Sequence, residues 1–277
     1  MLWDYQQPVA IRFGNGRVRE IKDVAAEMGL TEGGLLVSER LFAKNGTAER
    51  IVKDSEGAIS EIFSEFSPNP DVTEVDKAAA LIREKNLKFV VAMGGGSAMD
   101  LAKSAASIAL TDDSIADYHG TGKAMPREHL PIIAVPTTAG TGSEVTCVSV
   151  LTNRALGKKA PIVSDGFFPS VAIIDPELTY SVPPHVTAST GMDVLSQAIE
   201  GYWSKGASAD LRRLRHSRCA ARVQVPAHRR GRTGQRGGPS EDVRGVSDRR
   251  AGVHAAEDHV LARLLFPADQ YPRHCAR

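Results

Sequence analysis

The sequence has 277 residues, of which 42% are apolar and 24% charged, and its formal net charge is +1. This composition is typical of globular proteins, and no apolar run reaches the length of a membrane span. Three cysteines are too few and too scattered for a disulfide framework or a zinc knuckle. The first residues lack the basic and apolar regions of a signal peptide, so we expect a cytoplasmic protein that does not bind membranes.

Short apolar runs alternate with amphipathic stretches over residues 1–178, which predicts an open parallel sheet covered by helices. The turn-forming Ser67-Pro-Asn-Pro70 separates two of the helices. In chain order, the predicted elements are a strand at Leu35–Ser38, helices at Ala48–Phe66 and Val75–Glu84, a strand at Phe89–Met93, a helix at Leu101–Ala109, strands at Ile132–Val135 and Val171–Ile174, and a helix from Pro184 to Trp203.

A glycine-rich segment, Gly94-Gly95-Gly96-Ser97-Ala98-Met99-Asp100, follows one predicted strand and opens the next helix. Glycines let the backbone approach a pyrophosphate closely, and a helix N-terminus presents free N–H groups and the positive end of the helix dipole. On its own, a glycine triplet favours a plain strand-to-helix turn, with Ser97 as the N-cap, over a cofactor site.

A second polar loop, Pro136-Thr137-Thr138-Ala139-Gly140-Thr141-Gly142-Ser143-Glu144, also follows an apolar strand. Its hydroxyls and amides are the groups that phosphate and ribose recognition requires. Two such loops at the carboxyl ends of strands in one open sheet converge on a single crevice. Together, the two loops therefore predict a dinucleotide site.

Glu39 follows the first predicted strand, where an acidic side chain can bind a ribose diol and repel a 2′-phosphate. This placement favours NAD over NADP as the cofactor. The alternative is a solvated surface glutamate.

A third constellation is Gly191-Met192-Asp193-Val194-Leu195-Ser196-Gln197-Ala198-Ile199-Glu200. The spacing of four places Asp193 and Gln197 on one face of the predicted helix. A carboxylate one turn from a second oxygen ligand is a plausible half of a metal site. The alternative is an aspartate that caps the helix or interacts with its dipole.

In combination, these segments resemble the iron-containing (group III) alcohol dehydrogenases. The resemblance covers residues 1–210 and rests on four motifs in the order and approximate spacing of that family. Phe13-Gly-Asn-Gly16 and the Ser67–Pro70 turn fit it as well. The motifs are Gly94–Asp100, Pro136–Glu144, Asp175–Leu178 and Thr190–Tyr202.

The resemblance implies a Rossmann-like α/β domain at residues 1–178 and the start of an all-helical metal and substrate domain at 179–210. It implies NAD, or NADP, as cofactor and a small alcohol or aldehyde as substrate, and it allows a homo-oligomer. A metal such as Fe²⁺ or Zn²⁺ would stabilise the alkoxide during hydride transfer. The implied cofactor residues are Glu39, Gly94, Gly95, Gly96, Ser97, Asp100, Thr137, Thr138, Thr141, Gly142, Ser143 and Lys159.

For the metal, the family uses an aspartate, a histidine four residues later and two further histidines. Asp193 matches the first of these ligands, whereas Gln197 stands where the second, a histidine, is expected. A glutamine carbonyl is a harder ligand than imidazole and suits zinc or iron less well.

The charge of the chain breaks near residue 210. Residues 1–210 carry 19 basic and 27 acidic side chains, a net charge of −8, whereas residues 211–277 carry 15 arginines, no lysine and 6 acidic side chains, a net charge of +9. An arginine-rich tail of this kind is typical of nucleic-acid binding. Against that hypothesis, residues 211–277 lack interleaved aromatic residues and any recognisable nucleic-acid-binding module.

A change of reading frame accounts for the tail better. In the shifted frame, each codon consists of the last two bases of one printed codon and the first base of the next. The codons of the printed residues permit three segments in that frame: V-F-K-Y-L-P across Arg222–His228, P-P-K-T-T-C-S-H-A across Ala255–Leu264 and S-I-H-G-I-A across Gln270–Ala276. The last two segments resemble the family's later metal-histidine segments, in order. We therefore predict an out-of-frame, poorly ordered tail at 211–277, no nucleic-acid partner and an inactive chain.

Three other functions stay open at this stage. A sugar-phosphate cyclase or glycerol-type dehydrogenase would share the architecture of residues 1–210. A cofactor-binding remnant would bind dinucleotide without catalysis. A nucleic-acid-binding protein would use the arginines of residues 211–277.

Overall fold

A computed structural model describes residues 7–203 of the chain. The strands are β1 (Ala10–Phe13), β2 (Gly34–Ser38), β3 (Ile59–Phe63), β4 (Phe89–Gly94), β5 (Ile132–Pro136), β6 (Val148–Asn153), β7 (Lys158–Val163) and β8 (Val171–Ile174). Six of them form a parallel sheet in the order β1-β8-β5-β4-β2-β3, and β6 and β7 form an antiparallel hairpin. The predicted Rossmann-like open parallel sheet is confirmed.

Different helices cover the two faces of the sheet. On one face, Leu36 of β2 packs in a cluster with residues of α1, α2 and α3. On the other face, Leu35 and Val37 pack with α4 and α5. The helices are α1 (Ile21–Glu27), α2 (Arg40–Lys44), α3 (Thr47–Asp54), α4 (Val72–Glu84), α5 (Gly96–Ile108) and α6 (Pro184–Trp203).

The central strands are apolar because helices bury both of their faces. Every residue of β2, β4, β5 and β8 is buried. Parallel strands covered on both sides carry continuous apolar runs rather than alternating ones. Each fully buried valine, leucine or isoleucine stabilises the sheet by roughly 1.5–3 kcal/mol. This burial explains why these four strands were predictable from their sequences.

The predicted helix at Ala48–Phe66 is wrong in its second half. Helix α3 ends at Asp54, and Glu56 and Gly57 follow with φ angles of 48° and 97°. This left-handed backbone ends the helix, because L-residues do not continue a right-handed helix from it. The chain then enters β3, whose parallel pairing with β2 satisfies its backbone groups.

The hairpin of β6 and β7 and the edge strand β1 were not predicted. In β6, half-buried and buried residues alternate, which is the period-2 pattern of a strand with one covered face. That signal is present in Val148–Asn153 but is short. Strand β1 has only four residues, and none of them is buried.

Helix α6 confirms the predicted helix at Pro184–Trp203. Among its side chains that the structure describes, Val194 is buried, whereas Met192 and Ile199 are 59% and 37% exposed. Within residues 7–203, no helix combines the length and hydropathy needed to cross a bilayer. The prediction of a disordered tail at 211–277 lies outside the described residues.

Asp71 caps the N-terminus of α4 and also fastens it to β6. Its carboxylate accepts hydrogen bonds from the amides of Thr73 (3.0 Å) and Arg154 (2.9 Å), and the Asp71 amide in turn donates to the Glu74 carboxylate (2.7 Å). This reciprocal capping box satisfies N–H groups that a helix start leaves unpaired. Burial raises the pKa of Asp71, but the hydrogen bonds from Thr73 and Arg154 outweigh it and hold the pKa below its usual range.

We expect Asp71→Ala to lower the free energy of unfolding by about 2 kcal/mol at neutral pH, because it removes the cap and leaves buried amides unpaired. Urea unfolding of the variant and the wild type measures this difference. Because the folded-state pKa is depressed, the difference is constant above the unfolded-state pKa of about 4 and shrinks as the pH falls below it.

The matched control is Asp112→Ala, which removes an exposed carboxylate. It is expected to change the free energy of unfolding by less than about 0.5 kcal/mol. An Asp71→Ala variant as stable as Asp112→Ala would contradict the capping role.

Candidate cofactor site

The two predicted cofactor loops meet at the carboxyl edge of the sheet. Strands β4 and β5 are neighbours whose last residues, Gly94 and Pro136, pair with each other. The Thr137 amide then donates a hydrogen bond to the Gly94 carbonyl over 3.0 Å. The convergence that the sequence predicts is therefore present in the fold.

The glycines of the first loop lie against threonines of the second. A Cβ atom added at Gly95 would lie 3.0 Å from Thr138 Oγ1, and one added at Gly96 would lie 2.9 Å from Thr141 Cγ2. Gly94 itself has a φ angle of 155°, and a Cβ there would lie 2.6 Å from the Cβ of Ala98. Only glycine fits Gly94, so the close approach of backbone that a pyrophosphate needs is built into the turn.

The N-terminus of α5 lies where the two loops meet. The helix begins at Gly96, with Gly95 as its N-cap and without a side-chain cap. Ser97, the N-cap in the alternative interpretation, instead lies within the first turn, where its hydroxyl accepts the Asn69 amide over 3.1 Å. Since no side chain caps the helix, its first-turn N–H groups remain suited to an anionic ligand.

Glu39 lies at the same edge of the sheet, directly after β2. Its Oε1 atom accepts a hydrogen bond from the Gly95 amide over 2.7 Å, and the residue is half-buried. The alternative of a freely solvated surface glutamate is therefore wrong. The contact places a carboxylate beside the glycine-rich turn, and the ribose contact of Glu39 stays a prediction.

Lys159 brings a cation towards the start of α5. Its Nζ atom donates to Asn69 Oδ1 over 2.7 Å, and the Asn69 amide binds Ser97. Asn69 has a φ angle of 54°, which asparagine tolerates better than most residues. The Ser67–Pro70 turn, predicted to separate two helices and to fit the family resemblance, thus places Asn69 between Lys159 and Ser97.

Asp100 and Ser143 bind each other rather than facing the crevice freely. Ser143 Oγ donates to Asp100 Oδ1 over 2.7 Å, and the Val150 amide donates to Asp100 Oδ2 over 3.0 Å. Burial raises the pKa of Asp100, and the positive charge of Lys103 opposes that rise. These bonds fasten α5 to the second loop, so direct contact of Asp100 and Ser143 with a cofactor stays a prediction.

Lys103 belongs to the same network and was not predicted. It is 0% exposed, and its Nζ atom donates to Ser143 Oγ over 2.8 Å and to the Val148 carbonyl over 2.9 Å. The sequence signal was a lysine among apolar residues, in Leu101-Ala102-Lys103-Ser104-Ala105-Ala106. Such a residue on a buried helix needs a partner, because an unpaired charge is costly to bury.

Asp193 and Gln197 lie together on α6, in the middle of the helix. The position excludes the alternative that Asp193 interacts with the helix start. Gln197 Nε2 donates to Asp193 Oδ2 over 3.1 Å. Burial raises the pKa of Asp193, although the hydrogen bond from Gln197 opposes it.

These two residues do not make up a metal site. The Gln197 amide offers Asp193 its NH₂ group, which is a donor and not a metal ligand. A catalytic zinc has three protein ligands, and residues 7–203 contain no cluster of three histidine, cysteine, aspartate or glutamate side chains that could hold a metal ion. The described part of the chain therefore does not fit the expected metal.

Helix α6 nevertheless reaches the second loop. A Cβ atom added at Gly140 would lie 2.8 Å from the Cβ of Thr190, so the helix and the loop are in close contact. Asp193 follows Thr190 by about one helical turn. The candidate metal ligand is thus on the helix that borders the cofactor loops.

A separate cleft of about 780 Å³ lies between α1, α3 and the turn Pro176–Thr179. Arg19, Lys22, Arg50 and Lys53 are among its lining residues, as are Asp54 and Glu56. None of the predicted cofactor residues lines this cleft. The cofactor assignment therefore depends on the backbone geometry of the loops and not on the size of a cavity.

Comparison with known proteins places this site in a family. The family model for iron-containing alcohol dehydrogenase matches residues 8–176. The NAD-dependent methanol dehydrogenase of Bacillus methanolicus is 36% identical over 203 residues, 73% of this chain and 53% of that protein. The long-chain-alcohol dehydrogenase 1 of Geobacillus thermodenitrificans is 41% identical over 178 residues, 63% of this chain and 45% of that protein. The chain spans about half the length of these curated relatives.

Solved structures match more of the chain. A sulfoacetaldehyde reductase from Bifidobacterium kashiwanohense, crystallised with NAD⁺, is 60% identical with a TM-score of 0.86, covering 96% of this chain and 67% of that one. An iron-containing alcohol dehydrogenase from Thermotoga maritima is 30% identical with a TM-score of 0.77, covering 95% and 68%. The converging loops, the open helix N-terminus and these matches lead to one conclusion: the chain belongs to the iron-containing alcohol dehydrogenase family.

Proposed function

We propose that the chain binds NAD in the crevice between Gly94–Asp100 and Pro136–Glu144. The encoded reaction is then hydride transfer between nicotinamide and a small alcohol or aldehyde. The observation that carries this proposal is the contact of Gly95 and Gly96 with two threonines at the uncapped start of α5. The 60% identity to a reductase crystallised with NAD⁺ supports the choice of dinucleotide.

Each part of the crevice has a proposed role. The backbone of Gly94–Ser97 binds the pyrophosphate, since the start of α5 has no side-chain cap and the helix dipole favours negative charge there. Threonine hydroxyls and backbone groups of the second loop bind the phosphates and the nicotinamide side of the cofactor. Lys159, held by Asn69, adds a positive charge near the phosphates. The second-loop residues are Thr137, Thr138, Thr141 and Gly142.

Glu39 is proposed to bind the adenosine ribose. Its carboxylate is already beside the Gly95 amide, at the edge of the crevice. An ionised carboxylate accepts hydrogen bonds from a ribose diol, whereas a 2′-phosphate at the same place would be repelled. We therefore propose NAD rather than NADP as the preferred cofactor.

The substrate proposal comes from the most similar of the structures described above. A sulfoacetaldehyde reductase shares 60% identity with this chain, twice the 30% of the Thermotoga maritima protein. We therefore propose sulfoacetaldehyde as the first substrate to assay and simple primary alcohols as the second class. Reduction of the aldehyde would use NADH and yield the corresponding alcohol.

The chain as given is proposed to bind cofactor without turnover. Asp193 and Gln197 do not complete a metal site, and a divalent cation such as Fe²⁺ or Zn²⁺ would need ligands from elsewhere. The segments that could encode two metal-binding histidines are out of frame within residues 211–277. The intact reading frame would then encode an active dehydrogenase, and the present chain keeps the cofactor half.

We expect Glu39→Gln to weaken NAD⁺ binding about tenfold and to reduce the preference for NAD⁺ over NADP⁺, because the variant loses a charge-assisted hydrogen bond and a repulsive charge. Isothermal titration of both dinucleotides into the full chain measures the two dissociation constants. Glu65→Gln, which neutralises an exposed carboxylate, is the matched control. Equal affinities in Glu39→Gln and wild type would contradict the proposed ribose contact.

A second prediction concerns turnover. The chain as given is expected to bind NADH but not to oxidise it with sulfoacetaldehyde, even after incubation with Fe²⁺ or Zn²⁺. A gene whose reading frame is corrected near codon 210, by removal of one base for the offset found above, is expected to give metal-dependent oxidation of NADH by the aldehyde. Resequencing the source DNA across the codons for Gly201 to Arg232 comes first. Turnover by the present chain would overturn the proposed inactivity.

A further inference from the structure

The lysine on α5 is buried more completely than charged side chains usually are. Lys103 is 0% exposed, in a helix whose other buried residues are alanine, serine, leucine, isoleucine and methionine. Lysine is almost never fully buried unless it is paired. A residue with no exposed surface cannot touch a ligand in the crevice, so any influence on the cofactor must pass through its neighbours.

Those neighbours lie at the end of the second cofactor loop and just beyond it. Lys103 Nζ donates to Ser143 Oγ over 2.8 Å, to the Val148 carbonyl over 2.9 Å and to Thr146 Oγ1 over 3.4 Å. The same Ser143 hydroxyl donates to Asp100 Oδ1 over 2.7 Å. Ser143 thus links the ammonium and the carboxylate of two residues one turn apart on α5.

This arrangement fixes the second loop relative to the first. Asp100 and Lys103 lie on the helix whose N-terminus is the glycine-rich turn, and Ser143 follows Thr141, which contacts Gly96. The 3₁₀ turn Ser143–Val145 starts after Gly142, whose φ angle of 73° reverses the chain there. The hydrogen bonds of Lys103 therefore hold the end of the second loop against α5.

We infer that Lys103 is a positioning residue for the cofactor: through Ser143 it holds the loop at 137–142 at the distance from α5 that a bound pyrophosphate and nicotinamide require. The inference rests on the proposed function of the crevice. It goes beyond the proposed contacts because it assigns cofactor affinity to a side chain with no access to the cofactor. A charged hydrogen-bonded pair is well suited to this task, since its donors and acceptors accept few alternative partners in a buried site.

The test compares a ligand that would contact both halves of the proposed crevice with one that would contact only the adenosine half. NAD⁺ occupies both halves, whereas AMP carries only the adenosine half and one phosphate, near Glu39 and the glycine-rich turn. Titration of each into the full chain gives the two dissociation constants. We expect Lys103→Met to weaken NAD⁺ binding by about tenfold or more, and AMP binding by less than about threefold.

Two controls separate positioning from general destabilisation. Ile108→Ala opens a cavity on the same helix without touching the second loop, so it destabilises the fold while leaving both affinities within about twofold wherever the chain is folded. Lys77→Met removes an exposed positive charge from α4 and controls for net charge. Lys103→Gln, which removes the charge and keeps an amide donor, is expected to show a smaller NAD⁺-selective loss should Lys103→Met fail to fold.

The outcomes are distinct. A selective loss of NAD⁺ affinity in Lys103→Met or Lys103→Gln supports the inference. Unchanged NAD⁺ affinity in these variants, or an equal loss for NAD⁺ and AMP, overturns it while the proposed function stands. A wild-type chain that binds no NAD⁺ overturns the proposed function and this inference with it.

Discussion

Parallel pairing of β4 with β5 extends to the last residue of each strand, where Gly94 lies opposite Pro136. The loops that leave these strands therefore start side by side, and the hydrogen bond from Thr137 to Gly94 keeps them together for one further residue. The contacts of the crevice follow from that register. A shift by one residue would turn every side chain of β5 to the opposite face and separate the threonines from the glycines. The pairing of β4 with β5 thus sets where the two loops start, and side-chain contacts set how the loops lie against each other.

Holding the two loops in one arrangement requires buried polar groups as well as apolar packing. Helix α5 is apolar on the side that covers the sheet, yet it carries Asp100, Lys103 and Ser104 towards the segment after the second loop. Burying these groups costs free energy that hydrogen bonding must offset. The network restricts how these segments can be arranged, because hydrogen-bonded groups admit fewer arrangements than a packed apolar surface. The domain uses apolar burial for stability and this network for the alignment of two loops.

Sequence reasoning located the central strands and both loops, because continuous apolar runs and glycine-rich turns are local signals. It extended a helix over β3, since the left-handed turn at Glu56 and Gly57 and the pairing with β2 are not visible in helical periodicity. It listed Asp100 and Ser143 as cofactor residues without anticipating that they bind each other. Lys103 was missed for the same reason: hydrogen bonds between residues 40 or more positions apart depend on the tertiary fold.

The edge strand β1 has a consequence for the order in which this chain acquires its structure. Ala10 pairs with Val171, so one of the first strands to be synthesised receives its partner only when the last strand of the sheet has left the ribosome. Non-local pairings of this kind slow folding and leave an unpaired edge exposed in the meantime. All six strands of the described sheet nevertheless precede residue 175. The proposed change of reading frame near residue 210 would leave these strands unaltered, so translation would still deliver the folded sheet.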